Sequence, residues 1–482
     1  MLPKNKNTEI YAGSGSTSGA VARVFAREGI SIPELRAALN GRVIAPGDAG
    51  YDKARAVFYG GIERRPAVIV RVADATDVSR VVSRARETGL ELAVRSGGHS
   101  NAGHGVSEGG IVLDLSGMRA LHIDAERRTA WTQTGLTTGE YTTAAGAYGL
   151  ATGFGDTGSV GVGGITLGGG IGYLVRKHGL TIDNLLAAEI VTADGRRLQV
   201  DAGTSPDLFW ALRGGGGNFG VVTGLQYRLH PLASIVGGIL VLPATPETVA
   251  GFIAAAEAAP DELSTIANVM PAPPMPFLPE DVHGRMVILA TMAYAGDPAA
   301  GEAVYAPFRA LAAPLADLIR EMAYPEMFPP EDDSYHPIAL AHTLFLDRVD
   351  RPVATTIIEH LQASEAPFRF AQLRVLGGAM ARVPADATAF AHRASRILAV
   401  VGTFYETADE RERRAAWLAE LLGAIRQGDQ GAYVNFLNDE GRARVRAAYP
   451  GPTWDRLAAV KATYDPTNLF RRNQNIPPAT GA

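Results

Sequence analysis

Glycine dominates one stretch of the chain. Between Gly153 and Gly172, ten of the twenty residues are glycine, in the sequence GFGDTGSVGVGGITLGGGIG. This density predicts an irregular loop, because glycine weakens helix interiors and strands. Glycine also admits positive φ and lets backbone N–H groups approach a ligand closely. The stretch therefore predicts a ligand-binding loop, with an ordinary tight turn as the alternative for any single glycine cluster.

Two more glycine loops occur in the same half of the chain. SGGHSNAGHGV follows Arg95, and GGGGNFG follows Arg213. The first loop contains His99 between Ser96 and Ser100. Successive amides in such loops form anion-binding nests, and the guanidinium and hydroxyls nearby suit a pyrophosphate. Three such loops favour a binding site over three unrelated turns.

The elements around these loops predict a mixed chain of helices and strands. A strand at 66–72, a helix from about Thr76 to Gly89 and a strand at 91–95 form a βαβ unit. No helical pattern follows the glycines after Arg95, whereas a Rossmann fold requires a helix there, so a nicotinamide-dependent enzyme is disfavoured. Further strands are predicted at 111–115, 121–123, 130–133 and 221–229, a hairpin at 188–200, and helices at 138–148 and 206–213.

Composition favours a globular protein of more than one domain. A chain of 482 residues exceeds the usual size of one core, and 46% hydrophobic with 20% charged residues is ordinary for soluble proteins. A net charge of -5 gives no electrostatic footprint for nucleic acid. Apolar runs such as Ile235–Pro243 are too short to cross a bilayer. The N-terminal MLPKNKNTEIYAGSG lacks the apolar stretch of a secretory signal, so a cytoplasmic location is expected.

Two kinds of site are disfavoured by residue type. The chain has no cysteine, which excludes disulfides, thiolate metal sites and cysteine nucleophiles. His99 and His104 lie five residues apart in a flexible loop, without neighbouring residues to complete a coordination shell. We therefore predict no metal site.

Four segments, in this order, resemble a known family over most of the chain: Arg95-SGGHS, Gly158 to Asn184, Leu212-RGGGGNFGVVT and Tyr464-DPTNLFRRNQNIPP. They resemble the FAD-linked oxidases of the vanillyl-alcohol oxidase, or PCMH-type, superfamily, and within it the berberine-bridge-enzyme-like group. The resemblance implies an α+β, two-domain PCMH-type FAD-binding fold. It also implies a substrate domain built on an antiparallel sheet flanked by helices. The implied FAD-binding domain spans 1–232, with its core at about 62–232, the substrate domain 233–432, and a returning C-terminal segment 433–482.

FAD is the implied cofactor, bound covalently at His99 through the flavin 8α-methyl group. Thr157 stands where many relatives have a cysteine for a second bond, so a single link is expected. Ile165 likewise replaces a histidine often found near the flavin ring, and Asn473 and Asn475 match the tail residues that return to the flavin. The other candidate FAD-binding residues are Arg95, Ser96, Gly97, Gly98, Ser100, Asn101, Gly158, Ser159, Gly161, Gly163, Gly164, Gly169, Asp183, Gly220 and Val221.

The catalytic base is the least defined part of the resemblance. The family's Y-x-N-Y segment, whose second tyrosine is a frequent base, appears here as Tyr433-Val-Asn-Phe436. If this segment is a strand, Tyr433 faces away from Phe436 and does not replace the missing tyrosine. Tyr433 and three other polar residues, His392, Tyr405 and Tyr173, are the catalytic candidates, and each has an ordinary structural role as the alternative.

The resemblance implies an oxidase that acts on a small molecule. A carbon bearing a hydroxyl or amine would give a hydride to flavin N5, a base would take the proton, and O2 would reoxidise the flavin. An oxygenase or an oxidative cyclisation enzyme is an alternative. A catalytically silent flavoprotein is another, and the missing tyrosine favours it. Neither nucleic acid nor a membrane is an expected partner.

Overall fold

The computed structural model describes residues 30–332 and 334–480. The segment 1–29, on which the expectation of a missing secretory signal depends, lies outside the described residues, as do 333, 481 and 482. No helix within the described ranges is long and apolar enough to cross a membrane.

The first half of the chain forms two sheets with helices packed on them. In the first sheet, of order β1-β2-β4-β3, only β1 is antiparallel to its neighbour. The second sheet is antiparallel, in the order β5-β6-β10-β8-β9, and β7 pairs with β11 as a separate ribbon. The strands are β1 (Arg42–Ile44), β2 (Val68–Arg71), β3 (Leu92–Arg95), β4 (Ile111–Asp114), β5 (Leu121–Asp124), β6 (Thr129–Gln133), β7 (Leu150–Ala151), β8 (Leu185–Val191), β9 (Arg197–Asp201), β10 (Val221–Arg228) and β11 (His230–Pro231). The helices are α1 (Ile32–Ala38), α2 (Tyr51–Arg55), α3 (Ala75–Thr88), α4 (Thr138–Gly146), α5 (Val162–Leu167), α6 (Val175–His178) and α7 (Pro206–Leu212).

The second half is built on one eight-stranded antiparallel sheet. Its order is β15-β12-β14-β13-β18-β19-β17, with β16 paired to β12. The strands are β12 (Ile235–Pro243), β13 (Leu263–Pro271), β14 (Met286–Tyr294), β15 (Ala316–Asp317), β16 (Arg320–Met322), β17 (Ala339–Leu346), β18 (Arg369–Val375) and β19 (Ile397–Phe404). The helices that follow or flank them are α8 (Pro246–Ala258), α9 (Gly301–Arg309), α10 (Arg351–Ala363), α11 (Ala379–Arg382), α12 (Ala408–Ile425), α13 (Arg442–Ala448) and α14 (Pro452–Tyr464).

Alternation along β18 shows how this large sheet separates its two faces. Ala371, Leu373 and Val375 belong to the apolar core that the sheet forms with α8, α10 and α12. The residues between them, Gln372 and Arg374, line a cavity on the opposite face. Successive side chains of a strand point to opposite faces, so one strand serves both the core and the cavity.

The C-terminal tail packs back onto the first half of the chain. Leu469 and Phe470 are buried in the core formed by the four-stranded sheet and α3. The Lys461 ammonium, fully buried, donates to Asp465 Oδ2 at 2.6 Å and to the carbonyl oxygens of Asn218 and Phe470. These contacts support the proposed return of segment 433–482 to the FAD-binding half.

Several sequence predictions are confirmed, and one is wrong. The hairpin after residue 188, the strand from 221 and the helix after Ser205 are present as β8-β9, β10 and α7. The glycine run is not a loop throughout, because α5 lies inside it. Val162 and Thr166 of α5 are fully buried, and this tertiary packing overrides the low helix propensity of glycine. The segment at Tyr433 is a short 3₁₀ turn, Val434–Phe436, not a strand.

Candidate active site

A cavity of about 490 Å³ lies between the glycine loops and the face of the eight-stranded sheet opposite its helix-covered core. This is an ordinary size for a small-molecule or cofactor site. The loops contribute His99, Gly164 and Gly217, and the sheet contributes Gln372 and Arg374. The cavity therefore lies where the two halves of the chain meet.

Glycines make the backbone wall of this cavity accessible. A Cβ on Gly97 would overlap the backbone of Gly161, and one on Gly161 would overlap Gly97, so these two loops need glycine to touch. A Cβ on Gly164 or Gly217 would meet no protein atom within 4 Å. Because both residues line the cavity, their backbones face open space that a ligand can fill.

His99 lies in the cavity wall in a fixed orientation. Its ring stacks on Phe58, with centroids 4.1 Å apart and planes 20° apart, and its Nε2 lies 3.0 Å from Ser159 Oγ. Burial lowers the pKa of His99 to about 4, and the nearby Glu331 only partly opposes this effect. The imidazole is therefore neutral at pH 7 and has the lone pair that a nucleophile requires.

The asparagines of the tail carry buried oxygens that lack a partner. Asn473 Nδ2 donates to the carbonyl oxygens of Gly217 and Phe470, both at 3.0 Å. Within the described residues, no group donates to Oδ1 of Asn473 or of Asn475. Buried acceptors are normally satisfied, and Asn473 lines the cavity, so its Oδ1 fits a bound molecule with N–H or O–H donors. FAD, with its ring N–H and ribityl hydroxyls, is such a molecule.

The Arg95 guanidinium is engaged elsewhere. It donates to Asp114 Oδ2 at 3.1 Å and to the carbonyl oxygens of Ala54 and Ala56, so it anchors the base of the loop. Its geometry does not support the expected contact with a pyrophosphate. Arg472, which sequence reasoning did not single out, is a cation that also lines the cavity.

The cavity brings together most of the predicted FAD-binding residues. Those in its wall are Arg95, Ser96, Gly97, Gly98, His99, Ser100, Asn101, Thr157, Gly161, Gly163, Gly164, Gly220 and Asn473. Those outside its wall are Gly158, Ser159, Gly169, Asp183, Val221 and Asn475. Asp183 forms a two-pronged ion pair with Arg393, both contacts at 2.8 Å, which accounts for it structurally.

The four catalytic candidates are mostly engaged in structural contacts. The Tyr433 hydroxyl lines the cavity but already accepts from Gly170 N–H and Asn435 Nδ2, both at 3.0 Å. Burial raises its pKa. His392 is hydrogen-bonded to the carbonyl oxygen of Ala448, and Tyr405 packs at the edge of the helix-covered core. Neither of them lines the cavity. Tyr173 does not line it either, and its hydroxyl lies 3.5 Å from the carbonyl oxygen of Asp156, which does.

Sequence reasoning missed an ion pair in the cavity wall. Asp156 Oδ2 accepts from Arg374 Nη2 at 2.7 Å, and Arg374 Nε donates to Gln372 Oε1 at 2.8 Å. Arg374 is only 5% exposed, and its guanidinium carbon lies 5.2 Å from the centre of the Phe436 ring. Asp156 is the one carboxylate among the described lining residues. Its place directly before Thr157 in the glycine run was the available signal.

Two family models match segments of the chain that contribute residues to the cavity wall. A model described as FAD binding domain matches residues 66–201, and one described as Berberine and berberine like matches residues 432–477. The FAD-linked oxidoreductase YvdP of Bacillus subtilis, itself uncharacterized, is 32% identical over 92% of this chain and 99% of its own. The chain belongs to the berberine-bridge-enzyme-like family of FAD-linked oxidoreductases.

Another relative of this chain has a named activity. The (R)-6-hydroxynicotine oxidase of Paenarthrobacter nicotinovorans is 31% identical over 91% of this chain and 97% of its own. The crystal structure of 6-hydroxy-D-nicotine oxidase from Arthrobacter nicotinovorans has a TM-score of 0.81 and 28% identity, covering 92% of this chain and 98% of that one. The protein is therefore an FAD-dependent oxidoreductase with the α+β PCMH-type fold.

The three departures from the berberine-bridge-enzyme-like pattern all lie in the cavity wall. Thr157, Ile165 and Phe436 each line it. The family resemblance implies a second flavin bond, a ring neighbour and a tyrosine base at these positions in many relatives. The wall of this cavity therefore has a hydroxyl, an aliphatic and a phenyl side chain at the three positions.

Proposed function

We propose that the protein is an oxidase that takes a hydride from a carbon bearing a hydroxyl or amine and passes the electrons to O2. The observation that carries this proposal is a single cavity that holds both His99 and the Asp156–Arg374 pair. The relative named as a 6-hydroxynicotine oxidase supports the choice of an oxidase. A small molecule in this cavity would lie beside both groups.

We propose that FAD is held by the glycine loops and Asn473, with one covalent bond at His99. Bound FAD supplies the hydride acceptor and the route for electrons to O2. Thr157 cannot form a thioether, so His99 is the only tether proposed. The loop backbones at Gly164 and Gly217, which face open cavity, orient the cofactor.

In this proposal Asp156 is the base that accepts the proton of the substrate hydroxyl. Phe436 cannot accept a proton, and the Tyr433 hydroxyl already accepts two hydrogen bonds. Asp156 is a carboxylate in the cavity wall whose orientation Arg374 fixes at 2.7 Å. A carboxylate within reach of a substrate hydroxyl can accept its proton while the hydride leaves the same carbon.

The domain limits and the compartment are part of the same proposal. The limits 1–232, 233–432 and 433–482 are supported by the separate sheets and by the tail contacts. Limited proteolysis near residues 232 and 432 tests them. A cytoplasmic location is tested by cell fractionation.

A second candidate is a catalytically silent flavoprotein, which Phe436 favours. The experiment that separates the two is anaerobic mixing of the purified protein with paired primary alcohols and amines of the same carbon skeleton. An oxidase loses the visible flavin absorbance with at least one of them and regains it in air, with release of hydrogen peroxide. A flavin that none of them bleaches contradicts the oxidase. Incorporation of labelled oxygen from O2 into the product would indicate the oxygenase alternative.

A further inference from the structure

Glu331 reaches from the second half of the chain to the flavin-attachment histidine. It lies in the segment between β16 and β17, and its carboxylate accepts two hydrogen bonds from Ser159. Ser159 Oγ donates to Glu331 Oε2 at 2.5 Å, and Ser159 N–H donates to Oε1 at 3.1 Å. Ser159 Oγ is in turn 3.0 Å from His99 Nε2. These contacts form a continuous chain of hydrogen bonds from Glu331 through Ser159 to His99.

The protons in this chain can be assigned by counting donors. An ionised carboxylate only accepts, so the single hydroxyl proton of Ser159 goes to Glu331. Ser159 Oγ is then an acceptor toward His99, which requires the proton of the neutral imidazole to be on Nε2. The lone pair is left on Nδ1, and no hydrogen bond to Nδ1 is found among residues 30–332 and 334–480.

We infer that Ser159 and Glu331 position His99 for covalent flavin attachment, with Nδ1 as the bonding nitrogen. The inference rests on the proposed bond at His99. Ser159 and Glu331 are positioning residues, since they act on the flavin only through the imidazole. Neither lines the cavity.

Further contacts fix both ends of this chain of hydrogen bonds, His99 at one end and the Glu331 segment at the other. Phe58 stacks on the His99 ring, which limits its rotation. The Glu331 segment is fastened to the same region, because Gly60 N–H donates to the Pro337 carbonyl oxygen at 3.1 Å and His336 Nδ1 lies 3.0 Å from the Phe58 carbonyl oxygen. The attachment site is therefore complete only when this segment of the second half is docked.

The bonds, protons and electrons of the attachment reaction can be accounted for with His99, Ser159, Glu331, the flavin and O2. One C–H bond of the 8α-methyl group would break and a bond would form between that carbon and Nδ1. The C–H proton and the two electrons of that bond would go to the flavin ring, which is thereby reduced. The imidazole becomes cationic, and its Nε2 proton can pass to Ser159 as the Ser159 proton passes to Glu331. O2, the electron acceptor of the proposed oxidase, reoxidises the ring and yields hydrogen peroxide.

The test measures attachment directly and needs no substrate. Apoprotein is prepared from riboflavin-starved cells and mixed with FAD in air, and the covalent fraction is followed by intact mass under denaturing conditions. Ser159→Ala and Glu331→Gln should each slow attachment by roughly 10²-fold, the usual size of a lost proton-transfer contribution. The double variant should be no slower than Ser159→Ala, because both residues act in one chain. Non-covalent FAD binding, measured by flavin fluorescence, should survive in all three.

Asp332→Asn is the matched control, since Asp332 is adjacent to Glu331 and its carboxylate, among the described residues, accepts hydrogen bonds only from Ser334. It should attach FAD at the rate of the unaltered protein. Attachment at that rate by both Ser159→Ala and Glu331→Gln would overturn the inference, as would a bond found on Nε2 by NMR of the flavin peptide. An unaltered protein that binds FAD without any covalent bond would instead overturn the proposed linkage at His99.

Discussion

Asp156 and Arg374 form an ion pair in the cavity wall, with 2.7 Å between Oδ2 and Nη2, although they lie 218 positions apart in the chain. One comes from a glycine loop and the other from β18 of the large sheet. The pair therefore joins the two halves of the chain at the site where substrate and flavin would meet. It also places the Arg374 guanidinium 5.2 Å from the centre of the Phe436 ring, the position at which the family resemblance implies a tyrosine.

Asp156→Asn should slow flavin reduction by an alcohol by about 10²-fold or more, because the amide cannot accept the hydroxyl proton. The amide oxygen can still accept from Arg374, so flavin content should be unchanged. Anaerobic stopped-flow absorbance measures both the rate of flavin reduction and the flavin content. Asp281→Asn is the control, since its pair with Arg285 is exposed and neither residue lines the cavity. A normal reduction rate in Asp156→Asn would remove Asp156 from the mechanism.

Gly164→Ala should lower the flavin-to-protein ratio without lowering the stability of the apoprotein. The added methyl group meets no protein atom within 4 Å and points into the space assigned to FAD. Gly423→Ala is a matched control, because Gly423 also lies in a helix and its Cβ would also meet nothing. Both changes should stabilise their helix by up to about 1 kcal/mol, but only the first should displace flavin. Equal flavin content in the two variants would argue against the placement of FAD beside Gly164.

Lys461→Met should destabilise the protein by about 3–5 kcal/mol, because it leaves Asp465 charged and buried without its partner. Lys461 and Asp465 are both 0% exposed, and the ammonium also holds the Asn218 and Phe470 carbonyl oxygens. Arg285→Met removes an ion pair of the same i,i+4 spacing at the surface and should cost under about 1 kcal/mol. Denaturant unfolding compares them. Similar losses in the two variants would contradict the structural role of Lys461.

Stability should fall as pH is lowered from about 7 toward 4, in part through His178 and His230. Their rings stack 3.8 Å apart, and burial lowers the pKa of His178 to about 3 and that of His230 to about 4. The unfolded chain binds protons at the ordinary value near 6.5, so protonation favours unfolding between that pH and 4. The double variant His178→Gln/His230→Gln should show a smaller drop in Tm between pH 7 and pH 5. An unchanged drop would assign the acid sensitivity to other groups.

The local part of this architecture could be predicted from the sequence. The glycine loops, the position of His99 within one of them, the β8-β9 hairpin and α7 all follow from residue conformational preferences over short spans. The family resemblance rested on the same local segments. It is confirmed over the length of the chain by relatives that cover it almost completely.

The tertiary part could not be predicted in this way. The helix α5 forms in a glycine-rich segment because Val162 and Thr166 are buried by neighbours distant in sequence. The pairing of Asp156 with Arg374, and of Ser159 with Glu331, depends on two halves of the chain meeting. No periodicity or spacing encodes such contacts, so residue patterns pointed to Tyr433 and His392 instead.

The measurement that tests the central claim most directly is the intact mass and colour of the purified protein after acid precipitation and washing in denaturant. One covalent bond at His99 predicts yellow protein with the mass of the chain plus one FAD. It also predicts colourless protein of the chain mass alone for His99→Ala. Flavin released entirely from the unaltered protein, or retained by His99→Ala, would contradict the claim.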